Sequence, residues 1–180
     1  MHDHGDTSRG TPAAGASEIT EAISAHHREL SEHIVAEVAA LEAGTSDGAG
    51  LASFLTNELL PHAAGEERFL YPAVSVLVAE HGSPTATMSL DHEYITNATR
   101  RIETLVGQLR SATDDATRER LRRQLVRAAV QLEAVVGLHT VKEERAYLPL
   151  IARYMDAAQQ RHLLEELHEA TGSETAPASS

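Results

Sequence analysis

Residues 62–72 read HAAGEERFLYP and residues 139–149 read HTVKEERAYLP, with His, Glu, Glu, Arg and Pro at the same offsets in both. On a helix, side chains four residues apart leave the same face, roughly 5 to 6 Å apart at Cβ. His62 with Glu66, and His139 with Glu143, are therefore two equivalent histidine–carboxylate pairs. A pair of this kind can hold a metal ion, and its repetition predicts a centre with pseudo-twofold symmetry.

Outward from these stretches the apolar spacing is helical throughout, with no strand-like alternation. A first helix, capped by Ser17, carries Ile19, Ile23, His27, Leu30, Ile34, Val38 and Leu41 on one stripe and stops near Gly44. A second, about 51–80, turns Leu51, Leu55, Leu59, His62, Glu66, Ala73 and Leu77 inward. Pro61 and Pro72 inside that span predict kinks, or a restart at Pro61. Ser83 and Pro84 open a third helix, with Met88, His92, Ile95, Thr99, Ile102, Leu105 and Leu109 on its stripe. The fourth, about 116–155, faces inward with Leu121, Leu125, Leu132, Val136, His139, Glu143 and Leu150, and a shorter helix follows over about 156–169.

Four long helices with short connections predict an all-α, antiparallel up-down-up-down four-helix bundle over residues 18–170. Residues 1–17 and 171–180, rich in small and polar residues, read as disordered tails.

With 180 residues the chain can bury a full core, and with no cysteine it offers neither disulfide nor thiolate ligand. A formal charge of -12 disfavours nucleic acid, whose binding depends on released counterions. No apolar run reaches a membrane span, and the first residues lack a secretory pattern, so a soluble cytoplasmic protein is expected.

One histidine falls on the inward stripe of every long helix: His27, His62, His92 and His139. With Glu66 and Glu143 they make four imidazoles and two carboxylates, too rich in nitrogen for calcium or magnesium and suited to iron or zinc. Six ligands exceed what one reactive ion needs and suit two ions bridged by the carboxylates. Ferritin-like sites instead place Glu before His, in Glu-x-x-His. His26 competes with its neighbour His27 for the first position. Glu67 and Glu144 are read equally as surface partners of Arg68 and Arg145 or as hydrogen-bond partners of ligand imidazoles. Tyr147, one turn past Glu143, offers a phenol as ligand or hydrogen-bond partner. His33, His81, His162 and His168 are read as surface residues.

The series HRE around His27, HAAGEERFLYP, DHEY around His92 and HTVKEERAYLP resembles the hemerythrin-like HHE cation-binding domain over about residues 18–155. The resemblance implies a four-helix bundle around an oxo- or hydroxo-bridged pair of non-haem iron ions, with zinc or manganese as less favoured occupants. It implies His27, His62, Glu66, His92, His139 and Glu143 as ligands. Oxygen-carrying hemerythrins have a further histidine one turn past the helix-three ligand, where this chain has Thr96, and end in HxxxxD rather than HxxxE. The missing imidazole predicts an open iron position for peroxide, O2 or NO, with peroxide disproportionation as the leading activity. The alternative is an iron or oxygen sensor, or an O2/NO-binding protein without turnover. No segment suggests a protein partner.

Overall fold

The computed structural model describes residues 18–79 and 85–171, and every regular element among them is helical. The Ser17 cap, the Ser83–Pro84 start, His81 and the expected tails lie outside the described residues, except that Thr171 ends the last helix.

Helix α1 is Glu18–Ala43. It closes at Gly44, whose φ of 78° suits a residue without Cβ, and the amides of Gly44 and Thr45 bond to the carbonyls of Leu41 and Ala40 at 3.1 and 2.9 Å. Helix α2, residues 49–78, is continuous but built from the segments Ala49–Phe54, Leu55–Leu59, Leu60–Gly65, Glu66–Leu70 and Tyr71–Val78. Helix α3 is Ala86–Ser111. Helix α4, residues 115–154, joins Asp115–Lys142, Glu143–Tyr147 and Leu148–Tyr154, and its first turn is capped by Asp114, which accepts the Thr117 amide at 2.8 Å. Helix α5 is Ala157–Thr171, capped by Asp156 through the amides of Ala158 and Gln159.

The segments Leu55–Leu59, Glu66–Leu70 and Glu143–Tyr147 are π turns, after which the amides of Leu60, Tyr71 and Leu148 bond five residues back to Leu55, Glu66 and Glu143. Pro61, Pro72 and Pro149 each stand second in the α-helical segment that follows. Proline lacks an amide hydrogen and crowds the carbonyl four residues earlier, and each of those carbonyls lies inside a π turn. Widening the turn lets the helix run through the proline instead of ending at it.

The widening also corrects the expected stripes. One added residue per π turn rotates everything downstream, so Leu70, Tyr71 and Val74 are buried where Ala73 and Leu77 were expected, and Leu148 and Ile151 where Leu150 was. Both halves of the duplication shift in the same sense.

Helix α1 packs against α2 and α4, α2 against α3, and α3 against α4, so the four long helices form a closed ring of neighbours. Helix α5 lies across α2 and touches α1. Gly65 permits this crossing, because a Cβ there would stand 3.2 Å from the Cβ of Ala170. Two apolar clusters result. One gathers Leu30, Ile34, Leu51, Leu55, Leu59, Ile95, Ile102, Leu125, Leu132 and Val136. The other gathers Ile19, Ile23, Leu70, Tyr71, Met88, Tyr147, Leu148, Ile151 and Leu167. Each fully buried aliphatic side chain contributes about 1.5 to 3 kcal/mol. On every long helix the stripe histidine lies between residues of one cluster and residues of the other, which makes the polar groups a layer walled by apolar packing on both sides. Among the described residues no helix is long and apolar enough to cross a membrane.

Candidate metal centre

The layer contains His27, His62, Glu66, His92, His139 and Glu143, all buried, with Glu66 at 1% and Glu143 at 0% exposure. Burying two carboxylates is costly unless each is compensated, so the partners of each oxygen define the site. Oε1 of Glu66 lies 2.9 Å from His62 Nε2 and 3.3 Å from His27 Nε2, and Oε2 lies 3.2 Å from His92 Nε2 and 3.7 Å from His139 Nε2. Glu143 repeats the division: Oε2 is 3.4 Å from His27 Nε2, and Oε1 is 3.6 Å from His139 Nε2. Two half-sites emerge, His27 with His62 and His92 with His139, and both carboxylates span them.

Ligand atoms of His27, His62 and Glu66, and again of Glu66, His92 and His139, lie within 4.8 Å of one another. Several of these atoms are unsatisfied as they stand. Nε2 of His62 is close to Glu66 but out of line for a hydrogen bond, and Oε2 of Glu66 and Oε2 of Glu143 are buried without one. His92 Nε2 and His139 Nε2 face each other at 3.0 Å. The orphaned His62 nitrogen and two carboxylate oxygens, converging with the Nε2 atoms of the other three imidazoles, fit a cation that accepts nitrogen and oxygen together.

Burial pushes the Glu66 carboxyl up, but the His62 imidazole beside it and the neighbouring His139 and His27 imidazoles outweigh it and hold Glu66 well below its ordinary value. Glu143 goes the other way: burial and the Glu66 charge beside it drive it well above. Without a cation the two acids are therefore pulled apart, Glu66 toward its charged form and Glu143 toward its neutral one. His92 is opposed by burial yet raised by Glu66 and Glu67.

The outer nitrogens are also held. His92 Nδ1 meets Glu67 Oε1 at 2.9 Å, and Ser89 Oγ donates to Glu67 Oε2 at 3.0 Å. His27 Nδ1 lies 3.6 Å from Glu144 Oε1. Of the two readings of Glu67 and Glu144, the geometry takes the imidazole-orienting one for Glu67, whereas His27 Nδ1 makes no hydrogen bond to Glu144. His139 Nδ1 pairs with Asp91 Oδ2 at 3.2 Å, and Lys142 in turn bonds Asp91. Asp91 is pushed up by burial but held below its ordinary value by Lys142 and His139. Such partners fix the ring orientation and raise ligand basicity. Asp91 was not anticipated, and its position beside His92 in DHEY was the available signal.

Tyr71 was missed as well. Its hydroxyl donates to Glu143 Oε1 at 2.7 Å and lies 3.3 Å from Nε2 of both His92 and His139. On a regular helix, Tyr71 would sit about 140° away from Glu66, five residues on, and only the π turn brings it round. Tyr147 is buried behind it, ring to ring at 6.2 Å, among the apolar residues. The position equivalent to Tyr71 in the second copy is Leu148, so only the His92–His139 half-site has a phenol.

His27 points into the cluster, whereas His26 lies on its flank, edge-on to His62 at 4.8 Å between ring centres. Burial, His62 and His27 lower the His26 pKa to about 4. His168, read as a surface residue, instead lines a cavity of about 250 Å³ together with His26, His62, Glu66 and residues of α5. The reason is that α5 folds back over α2 and covers that flank.

The chain matches no curated protein and no solved structure. The family described as the Hemerythrin HHE cation binding domain matches residues 18–108, from α1 through most of α3, which includes His27, His62, Glu66 and His92. With that match covering half of the chain, and with a second HxxxEE copy completing the buried His/Glu layer, the protein belongs to the hemerythrin HHE cation-binding family and is a metal-binding protein.

Proposed function

We propose that the layer holds two iron ions, zinc and manganese being less favoured occupants, and that the protein disproportionates hydrogen peroxide. The same reading makes the ring of long helices an up-down-up-down bundle, supported by the short connections at 44–48 and 112–114. The observation that carries the proposal is the division of both carboxylates between two imidazole pairs. Four imidazoles and two shared carboxylates make up a donor set for two ions rather than one.

A bound iron pair supplies reversible one-electron changes at two centres, together the two electrons that each half of the reaction exchanges. The reaction balances without an outside reductant: one peroxide becomes O2 and gives up two protons and two electrons, and a second takes them to form two waters. The chain's own groups set the conditions. Glu67 and Asp91 hold His92 and His139 in register. The Tyr71 hydroxyl lies against the His92–His139 half, where the sequence expectation placed an open position, and donates a hydrogen bond to Glu143 Oε1. The His27–His62 half faces the cavity, so a small ligand approaches from that side. The apolar clusters exclude bulk water from the rest.

Elemental analysis, absorption spectra and oxygen evolution test the proposal together. Two irons per chain, charge-transfer bands, and oxygen evolution lost in His62→Ala and Glu143→Ala are expected. Colourless protein containing zinc would end the iron reading. Coloured protein that evolves no oxygen would leave ligand binding without turnover.

A further inference from the structure

We propose that the cavity between α1, α2 and α5 is a binding pocket for a neutral short-chain organic molecule, oriented with a terminal O–H group toward His26. The inference rests on the metal reading only for what lies beyond His62 and Glu66; the pocket itself is made by side chains of α1, α2 and α5.

Size argues first. The cavity measures about 250 Å³. A water molecule's share of liquid volume is about 30 Å³, so the space exceeds what peroxide or a diatomic gas fills by several-fold. It also falls below the roughly 300 Å³ at which pockets for drug-sized ligands begin. An occupant of about six to ten non-hydrogen atoms is indicated on this scale.

The lining argues next. Ala22, Ile23 and Leu70 form an apolar wall facing Leu164 and Leu167 of α5. At the inner end stand His62 and Glu66, and beside them the half-buried ring of His26. Imidazole beside an apolar wall suits a ligand with one polar end and a hydrocarbon stem. Glu66 on the floor and Glu29 on the rim present carboxylates to the space, which disfavours an anion. Desolvation against the leucines disfavours a cation.

The wall supplied by α5 is anchored rather than loose. Gln160 donates to the carbonyl of Met155 at 2.8 Å, and Leu163 and Leu167 are buried in the second apolar cluster. The pocket is therefore standing structure, and its width is set by Leu164 and by the small Ala22 across from it.

The test uses the full-length protein as purified, with its metal content measured in the same preparation. 1-Pentanol, which is redox-inert, is titrated by calorimetry beside pentanoate. A Kd of about 1 mM or tighter for the alcohol is expected for so small a ligand, with no binding of pentanoate. Ala22→Phe, which fills the space, should weaken pentanol by about tenfold or more. Leu164→Ala should shift the preference to a longer alcohol. Equal affinity for pentanol and pentanoate, or pentanol affinity untouched by both substitutions, would overturn the proposal. Iron absent from protein that still binds pentanol in this pattern would count against the metal reading alone.

Discussion

Glu143→Gln should change stability in opposite directions with and without metal, because the structure puts a proton on Glu143 only when no cation is present. In the metal-free protein Glu66 is held ionised and Glu143 is held neutral. The folded pKa of Glu143 is raised above its ordinary value of 4.5, so above pH 4.5 the folded state binds a proton that the unfolded state has released. Stability from this group therefore falls as pH rises, with a limiting slope of about 1.4 kcal/mol per pH unit, until the folded pKa is passed. Glu66, whose folded pKa is depressed, loses stability only as pH falls below its ordinary value of 4.5 and contributes no slope above it. His26, lowered to about 4 from 6.5, contributes a slope of opposite sign between those values, but it does so in wild type and variant alike. The difference between wild type and Glu143→Gln thus isolates Glu143. A glutamine is already neutral, so the metal-free variant should gain on wild type by up to about 1.4 kcal/mol for each pH unit above 4.5. The loaded variant should lose, since a charged oxygen that would neutralise the cations is gone. Urea unfolding from pH 4.5 to 7, with and without chelator, measures both. Metal uptake by the wild type should also release the Glu143 proton, read from calorimetry in buffers of different ionisation enthalpy, and Glu143→Gln should release about one proton fewer. Parallel pH profiles for the two metal-free proteins would refute the argument.

Tyr71→Phe removes a buried hydroxyl from Glu143 Oε1 and should cost the metal-free protein about 1 to 3 kcal/mol in urea unfolding, whereas Tyr147→Phe, with its hydroxyl away from the carboxylates, should cost less. Asp91→Asn and Glu67→Gln release the outer nitrogens of His139 and His92, and each should lower metal affinity by about 10- to 100-fold in chelator competition. Ile102→Ala, in the cluster farther from α5, should cost about 2 to 5 kcal/mol while leaving metal stoichiometry unchanged. Chelation of the loaded protein should lower the melting temperature in every one of these variants, since ligands from four helices stabilise the fold only when bridged.

The fold class was legible because the chain writes its burial at helical period: Ile19 to Leu41 and Met88 to Leu105 are buried on the very stripes that their spacing marks, while past them Val106 is buried and the expected Leu109 only partly so. The stripes failed after Glu66 and Glu143. A π turn inserts one residue without leaving a periodic mark, and only the prolines downstream, Pro72 and Pro149, hint that the backbone must widen there. That single rotation explains why Tyr71 was missed.

By itself the sequence determined the elements and the donors: an all-helical chain with one histidine on the inner stripe of each long helix and a carboxylate four residues past two of them. These follow from local periodicity, which residue order carries in full. Tertiary structure decided what the donors meet. Packing of α3 against α4 brings Asp91 to His139, the π turn swings Tyr71 onto Glu143, and α5 folding over Gly65 closes the cavity beside His62. It also decided that the two acids are pushed in opposite directions, because Glu66 sits among imidazoles and Glu143 beside the Glu66 charge at distances that no linear pattern encodes.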